Sequence, residues 1–301
     1  CVGDSEIEAG NIVIATGSEP VTIFSGENIV TSREILEITA VPERLVIIGG
    51  GVTGLEFAMI FQLLGSRVTI IEARDRLLPD LDADLSAEIE KIVKRKGIIV
   101  RKGKKPRFDH TLILDGEEIC YDTILVAVGR KPCFHNLGDI RLDTVNEKMQ
   151  TEVNTIFAVG DVTGRNQLAH VATMQGIVAA HNIMGREMRM DYGAIPNCIY
   201  TLPEIASVGI SESADHDVYK TEYAANARAR CADKLYGFLK IVVDRKTRQI
   251  EGVHIIGENA TDLIATAVTM IQKKMTLEDM KNLIFPHPTF SELFIDAVKL
   301  L

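Results

Sequence analysis

The chain has 301 residues, of which 46% are hydrophobic and 25% are charged, with 42 acidic against 33 basic side chains. This length predicts two or three domains with cores of their own, and the net charge of −9 argues against a nucleic-acid-binding protein. No apolar run reaches the roughly 18 residues of a membrane helix. We therefore predict no membrane association and, by default, a cytoplasmic location.

Five cysteines are scattered along the chain: Cys1, Cys120, Cys133, Cys198 and Cys231. No two of them form a C-x-x-C or another close pair, so their spacing indicates no disulfide framework, zinc site or local redox motif. We expect ordinary thiols in a reducing compartment, and we predict no metal site.

The first strong pattern is a β-α-β unit. Before this unit, residues 11–17 predict a short buried strand that ends in a tight turn. The first strand of the unit is predicted over residues 44–48, as a central parallel strand. A glycine-rich turn, an apolar helix over 55–64 and a second strand over 67–71 follow. The crossover between these two parallel strands is expected to be right-handed.

Further elements follow in two different patterns. The first continues with a helix over 82–96, strands over 123–129 and 155–161, and a helix over 168–184. Beyond about residue 190 the chain changes to strands over 237–243 and 250–256 and helices over 261–272 and 277–282. This change predicts an α/β part followed by an α+β part, with a boundary near 188–192.

The glycine-rich turn carries a dinucleotide-binding pattern. Gly49, Gly51 and Gly54 follow a strand and open a helix, and Glu72 ends the next strand. These glycines let the backbone approach a pyrophosphate at the positive end of the helix. Glu72 would accept hydrogen bonds from the ribose hydroxyls and repel a 2′-phosphate, so the pattern favours NAD over NADP, although Arg74 lies close by.

Two other places carry candidate chemistry. Asp161 follows a buried strand, where a carboxylate needs a partner, and either a ligand hydroxyl or a turn-capping role satisfies it. His287 lies between two prolines, and Glu292 is within its reach if a helix begins near Thr289. A carboxylate on one ring nitrogen leaves the other for proton transfer, but such a pair is also common at helix starts.

Taken in chain order, these motifs resemble those of the FAD-dependent pyridine nucleotide–disulfide oxidoreductases. The matching segments are residues 11–17, 49–72, 129–132, 151–161, 200–204 and 287–292. They extend over essentially the whole chain. Within the family, the enzymes that oxidise dihydrolipoyl groups with NAD+ match best, because Glu72 disfavours NADPH and not all members carry the histidine at 287.

The resemblance implies an α/β fold class: a Rossmann-like NAD(P)-binding domain plus part of a FAD-binding domain, followed by an α+β dimerisation domain. The implied boundaries are 1–37 and 145–189 for the partial FAD-binding domain and 38–144 for the NAD-binding domain. The dimerisation domain would cover 190–301.

The resemblance also implies roles for single residues. Besides the NAD-binding positions above, the cofactor-binding residues would be Thr16, Gly17, Glu56, Gly129, Asp161 and Ala169. Asp161 would bind the FAD ribityl chain, Ala169 would begin a helix aimed at the flavin, and Glu56 would pair with a lysine beside it. His287, oriented by Glu292, would be the acid/base for a dithiol, acting across a homodimer interface.

The implied reaction oxidises a protein-bound dihydrolipoyl group and passes electrons through a cysteine pair and FAD to NAD+. The implied partners are a second copy of the chain and the lipoyl domain of a 2-oxoacid dehydrogenase or glycine-cleavage type complex. The family's first FAD motif, redox cysteine pair and flavin lysine are not found in these residues, so we expect a fragment that is inactive alone. Another disulfide reductase of the family and a non-catalytic NAD-binding dimer scaffold are the alternatives.

Overall fold

A computed structural model describes residues 7–134 and 144–299. Cys1 and residues 135–143, the latter assigned above to the end of the NAD-binding domain, lie outside the described residues. The chain divides into two compact units. The first unit comprises Cys1–Val21 and Gly129–Tyr192, and the second comprises Thr22–Val128 and Gly193–Leu301.

The described residues form short strands throughout and seven α-helices. In chain order the strands are β1 (Ile12–Ile14), β2 (Ser18–Pro20), β3 (Ile29–Thr31), β4 (Arg44–Ile48), β5 (Arg67–Glu72), β6 (Ile99–Lys102), β7 (Arg107–Asp109), β8 (Thr111–Leu114), β9 (Glu117–Ile119), β10 (Thr123–Val126), β11 (Arg130–Pro132), β12 (Ile156–Ala158), β13 (Asn197–Ile199), β14 (Glu204–Gly209), β15 (His216–Glu222), β16 (Phe238–Asp244) and β17 (Ile250–Gly257). The helices are α1 (Val52–Leu63), α2 (Ala83–Arg95), α3 (Ala169–Ile183), α4 (Ala227–Cys231), α5 (Ala260–Gln272), α6 (Leu277–Lys281) and α7 (Leu293–Asp296). Within this part of the chain no helix is both long and apolar enough to cross a bilayer.

The first unit is built on two pairs of strands. β1 pairs in parallel with β12, and β2 pairs antiparallel with β11. The pairing of β1 with β12 brings residues 12–14 beside residues 156–158, and helix α3 follows that second strand. The unit therefore joins two parts of the sequence that are more than a hundred residues apart.

The second unit contains a parallel sheet of order β3-β10-β4-β5-β6. Leu45 to Ile48 of β4 are all buried, as expected for a central parallel strand. The predicted β-α-β unit is confirmed as β4, α1 and β5. Residues 22–37, grouped above with the FAD-binding part, belong to this unit because β3 pairs with β10.

A second sheet of this unit is antiparallel, with the order β13-β14-β17-β16-β15, and a third, three-stranded sheet has the order β7-β8-β9. The predicted strands and helices after residue 237 are confirmed as β16, β17, α5 and α6. One hydrophobic core is continuous across the two five-stranded sheets of this unit. It contains Leu45 and Ile70 of the parallel sheet together with Ile205, Phe238 and Ile256 of the antiparallel sheet.

A buried ion pair joins helix α2 to the antiparallel sheet. Lys240 of β16 lies 2.7 Å from the carboxylate of Asp82, the N-cap residue of α2, and each side chain is only 1% exposed. Burial alone would lower the pKa of Lys240, but its hydrogen bond to Asp82 and the charges of Asp82, Asp84 and Glu212 outweigh burial and raise the pKa above the ordinary value. Lys240 is therefore held as a cation.

We predict that Lys240→Met lowers the free energy of unfolding by about 3–5 kcal/mol, because it leaves the buried Asp82 carboxylate without its cation. Urea denaturation measures this loss. The stability contributed by Lys240 is fully present below the ordinary lysine pKa and is lost as the pH rises through the raised pKa.

The matched control is Lys234→Met, whose half-exposed side chain pairs with Glu258 at 3.4 Å. Such an exposed pair contributes only about 0–1 kcal/mol. Equal losses in the two variants would contradict the structural role of Lys240.

Candidate active site

The turn between β4 and α1 has the backbone of a dinucleotide-binding site. Gly49 has φ +114°, and a Cβ at this position would lie 2.3 Å from the carbonyl oxygen of Ala127. A Cβ on Gly54 would lie 2.0 Å from the carbonyl oxygen of Gly49. Side chains are thus excluded at both positions, and the start of the helix packs directly on the turn.

Gly51 has a different role in this turn. It is the N-cap of α1, and a Cβ there would meet nothing within 4 Å. No side-chain hydrogen bond caps this helix. The first N–H groups of α1 thus have no side-chain cap and lie at the positive end of the helix dipole, an arrangement that suits a pyrophosphate.

Glu72, the last residue of β5, is buried beside the turn. One carboxylate oxygen accepts the N–H of Gly50 at 2.6 Å, and the other accepts the N–H of Arg74 at 2.7 Å. A carboxylate has about four lone-pair sites, so each oxygen keeps capacity for a ribose hydroxyl. The Arg74 guanidinium is paired with Asp80 at 2.5 Å. This geometry fits NAD.

Three motifs of the first unit meet in one hydrogen-bonded cluster. Arg130 donates through Nε to the Ser18 hydroxyl at 2.7 Å, and that hydroxyl donates to the Asp161 carboxylate at 2.5 Å. Thr16 donates through its hydroxyl to the carbonyl oxygen of Cys133 at 2.6 Å. The sequence indicated Thr16 and Asp161 as site residues and Arg130 only as part of the matching segment 129–132. It did not indicate Ser18, whose only signal was its position directly after Gly17.

Both of these glycines have backbone conformations that favour glycine. Gly17 has φ +72°, and Gly129 has φ +115°. The Gly17 carbonyl accepts the N–H of Cys133 at 2.9 Å, and the Gly129 carbonyl accepts the N–H of Val21 at 3.0 Å. The two turns are therefore fixed to each other through the main chain.

Asp161 lies in a 3₁₀ turn over Gly160–Thr163 that precedes helix α3. The fully buried Gln175 of α3 accepts the N–H of Gly160 at 2.6 Å, which holds the turn against the helix. Ala169 is the exposed first residue of α3, and no side-chain hydrogen bond caps this helix. The half-buried carboxylate of Asp161 can accept hydrogen bonds from hydroxyl groups of a ligand. The uncapped start of α3 can stabilise negative charge on another part of the same ligand.

His287 and Glu292 are in contact in the second unit. The Nδ1 atom of His287 lies 3.0 Å and 3.2 Å from the two carboxylate oxygens of Glu292. Since an ionised carboxylate only accepts, Nδ1 carries a hydrogen, and in the neutral ring Nε2 of this 70% exposed side chain keeps its lone pair.

The local fold explains how Glu292 reaches the ring. A 3₁₀ turn begins at Phe290, and Glu292 accepts the N–H of Thr289 at 2.9 Å in a capping box. This backbone hydrogen bond, together with the one from His287, holds the pKa of Glu292 below its ordinary value. The carboxylate is therefore charged at neutral pH. The sequence alone left open whether Glu292 caps a helix start or orients His287. In the structure it does both.

Glu56 lies in α1, and its carboxylate accepts the backbone N–H of Tyr200 at 2.9 Å. Burial raises the pKa of Glu56 above its ordinary value, while the hydrogen bond from Tyr200 opposes that shift. This contact joins helix α1 to the segment before β14. The pairing of Glu56 with a lysine beside a flavin stays a prediction.

Residues 1–176 match the family described as pyridine nucleotide-disulphide oxidoreductase, and residues 195–298 match its dimerisation domain. The chain belongs to this family. It is an oxidoreductase of a family that uses FAD and NAD(H). The boundaries of the three domains and the roles of the site residues stay predictions.

Similar proteins include a dihydrolipoyl dehydrogenase of Bacillus subtilis, 36% identical over 97% of this chain and 69% of that protein. A dihydrolipoyl dehydrogenase of Chlamydia trachomatis is 35% identical over 98% of this chain and 70% of its own length. Among solved structures, LpdA of Mycobacterium tuberculosis has a TM-score of 0.89 and 28% identity over 99% of this chain and 71% of its own. The HOCl-induced flavoprotein disulfide reductase RclA of Escherichia coli has a TM-score of 0.89 and 26% identity, over 98% of this chain and 74% of that one.

We predict that Glu72→Gln weakens NADH binding about tenfold, since a hydrogen bond to a charged group is replaced by one to a neutral amide. The same change should narrow the preference for NADH over NADPH, because the charge that repels a 2′-phosphate is lost. Calorimetric titration of the chain with each nucleotide measures both effects. Glu43→Gln, an exposed carboxylate that pairs with Arg67, is the control. Equal wild-type affinities for NADH and NADPH would contradict the role of Glu72.

Proposed function

We propose that the protein acts as a dihydrolipoyl dehydrogenase, which oxidises protein-bound dihydrolipoamide and reduces NAD+. The observation that carries this proposal is the His287–Glu292 pair, in a chain that is 36% identical to a dihydrolipoyl dehydrogenase over nearly all of its length. The pair provides a base for a dithiol, and Glu72 beside the glycine turn supports NAD as the electron acceptor.

His287 is the residue that moves the proton. Its Nδ1–H donates to Glu292, which fixes the tautomer and the ring orientation. The lone pair on Nε2 then accepts a proton from the dithiol as the thiolate forms, and the Glu292 carboxylate stabilises the resulting imidazolium. Glu292 is in turn held by the N–H of Thr289, so it keeps its position when the ring changes charge.

The chain's own residues account for how the two cofactors would be held. The N–H groups at Gly51 and the carboxylate of Glu72 would bind NAD, and Asp161 with the start of α3 at Ala169 would bind FAD. FAD, when bound, supplies the two-electron relay between a dithiol and the nicotinamide. Asp161 would accept a hydroxyl of the ligand while Ser18 holds the carboxylate in place.

The partners we propose follow from the family. Residues 195–298 match a dimerisation domain, which supports a homodimer. The dihydrolipoyl substrate would be carried on the lipoyl domain of a 2-oxoacid dehydrogenase or glycine-cleavage type complex. We place the protein in the cytoplasm, as the sequence predicts.

A second candidate function is reduction of another disulfide. It is favoured by the similarity in structure to RclA of Escherichia coli, a flavoprotein disulfide reductase by its name. NADH-dependent reduction of a different disulfide, faster than the oxidation of dihydrolipoamide, would favour this candidate. The non-catalytic scaffold is opposed by the His287–Glu292 geometry, because binding alone needs no oriented base.

We predict that His287→Ala lowers kcat for dihydrolipoamide oxidation by about 10²–10⁴-fold, the usual contribution of a general base. Electron transfer from NADH to a dye should stay near the wild-type rate, because it involves no dithiol proton. Both rates are measured on the FAD-loaded holoenzyme expressed from the complete coding sequence.

The control variant is His110→Ala, whose side chain is 98% exposed on a turn of the three-stranded sheet.

Glu292→Gln should lower kcat and leave KM for dihydrolipoamide nearly unchanged, because Glu292 acts through the ring. An unchanged kcat in His287→Ala would rule out this base.

A further inference from the structure

A group of metal-ligating side chains lies at one end of the antiparallel sheet of the second unit. It contains His216, the first residue of β15, Asp244, the last residue of β16, and Glu251 of β17. One ligand atom from each residue lies within 4.8 Å of the other two. His216 and Asp244 are direct cross-strand partners. We call these three residues the sheet-end group.

An irregularity in strand pairing completes the group. Val242 pairs with Gly252, and the next residue, Val243, pairs with Ile250, which leaves Glu251 as an extra residue in β17. A bulge of this kind changes the direction of a side chain. The carboxylate of Glu251 reaches Nε2 of His216 at a distance of 3.0 Å.

The His216 ring is oriented for ligation. Its side chain is 10% exposed, and the hydroxyl of Ser213 lies 2.7 Å from Nδ1. Because the Glu251 carboxylate only accepts, Nε2–H of the neutral ring donates to it, and the Ser213 hydroxyl donates to Nδ1. When a cation replaces the hydrogen on Nε2, the same hydroxyl can turn to accept Nδ1–H, so the tautomer that ligates through Nε2 is available. Histidines that bind metals usually have their other ring nitrogen fixed in this way.

The carboxylates of Asp244 and Glu251 also have oxygen atoms that could bind a cation. The hydrogen bonds that Asp244 accepts from Lys246 and Thr247 all use Oδ1, so Oδ2 is the oxygen for a cation. Glu251 contacts His216 through Oε2, and a carboxylate can use either oxygen. The group therefore offers one nitrogen and two oxygen ligands.

Two arginines on neighbouring residues contact another carboxylate. Arg245 pairs with Asp217 at 2.9 Å, and Arg248 pairs with the other oxygen of Asp217 at 2.5 Å. Both guanidiniums contact Asp217, which lies outside the sheet-end group. The two carboxylates of the group carry two negative charges, which would balance the charge of a divalent cation.

We propose that His216, Asp244 and Glu251 bind a divalent transition-metal cation such as Zn²⁺. Imidazole with carboxylates suits zinc better than magnesium or calcium, which prefer sites made only of oxygen. Three protein ligands leave a fourth position for water. Bonds of about 2.0–2.2 Å place tetrahedral ligands roughly 3.4 Å apart, so small side-chain rotations close the group around the ion. The ion would link the ends of three strands.

Zinc titration of the full chain tests the site. The chain is stripped with a chelator, its cysteines are alkylated so that thiolates do not compete, and Zn²⁺ is added in a calorimeter. We expect one equivalent to bind. His216→Ala and Glu251→Gln should each weaken binding at least tenfold, and Ser213→Ala about tenfold through the orientation of the ring. His110→Ala, an exposed histidine elsewhere in the same unit, should bind as the wild type does.

Thermal unfolding gives a readout that is independent of enzyme activity. Zinc should raise the melting temperature of the wild type and of His110→Ala, but not that of His216→Ala. If His216→Ala does not fold without zinc, Glu251→Gln carries the test. Zinc binding of equal affinity in wild type and Glu251→Gln, or the lack of saturable binding to the wild type, would overturn the proposal.

Discussion

The buried pair of Lys240 and Asp82 is the contact on which the second unit depends. Asp82 caps the helix that follows the strand ending in Glu72, and Lys240 lies in the sheet of the dimerisation part. Two buried charges stabilise each other only when their atoms are within contact distance, whereas apolar side chains can shift past one another at little cost. The pair therefore joins helix α2 to the antiparallel sheet at one defined point, beside the hydrophobic core that the two five-stranded sheets share.

Three candidate site carboxylates, each considered within its own unit, are held in a similar way. Glu72 is held by two backbone N–H groups, Glu292 by the N–H of Thr289, and Asp161 by the hydroxyl of Ser18. In each case a donor fixed by the fold uses part of the carboxylate's capacity and leaves lone pairs for a ligand or a histidine. Such pre-orientation reduces the reorganisation needed when substrate and cofactors bind.

The sequence predicted the parts whose signal is local. The buried strand β4, the helix after Gly51 and the pair of His287 with Glu292 follow from short-range patterns of glycine, proline and apolar residues. The three-residue strands β1 and β12 were predicted because each is an apolar run that ends before a glycine, whereas β13 has no such pattern and was missed. The Arg130–Ser18–Asp161 contacts and the sheet-end group depend on pairing between distant segments, and no spacing along one sequence reveals that pairing.

The central claim is that His287 and the NAD-binding turn serve the oxidation of a dihydrolipoyl group carried by a protein. The most direct measurement offers a reduced lipoylated domain and NAD+ to the FAD-loaded holoenzyme and follows NADH by absorbance. We predict that NADH forms in proportion to the lipoyl groups added. A holoenzyme that transfers electrons from NADH to a dye but forms no NADH from the reduced domain would contradict the claim.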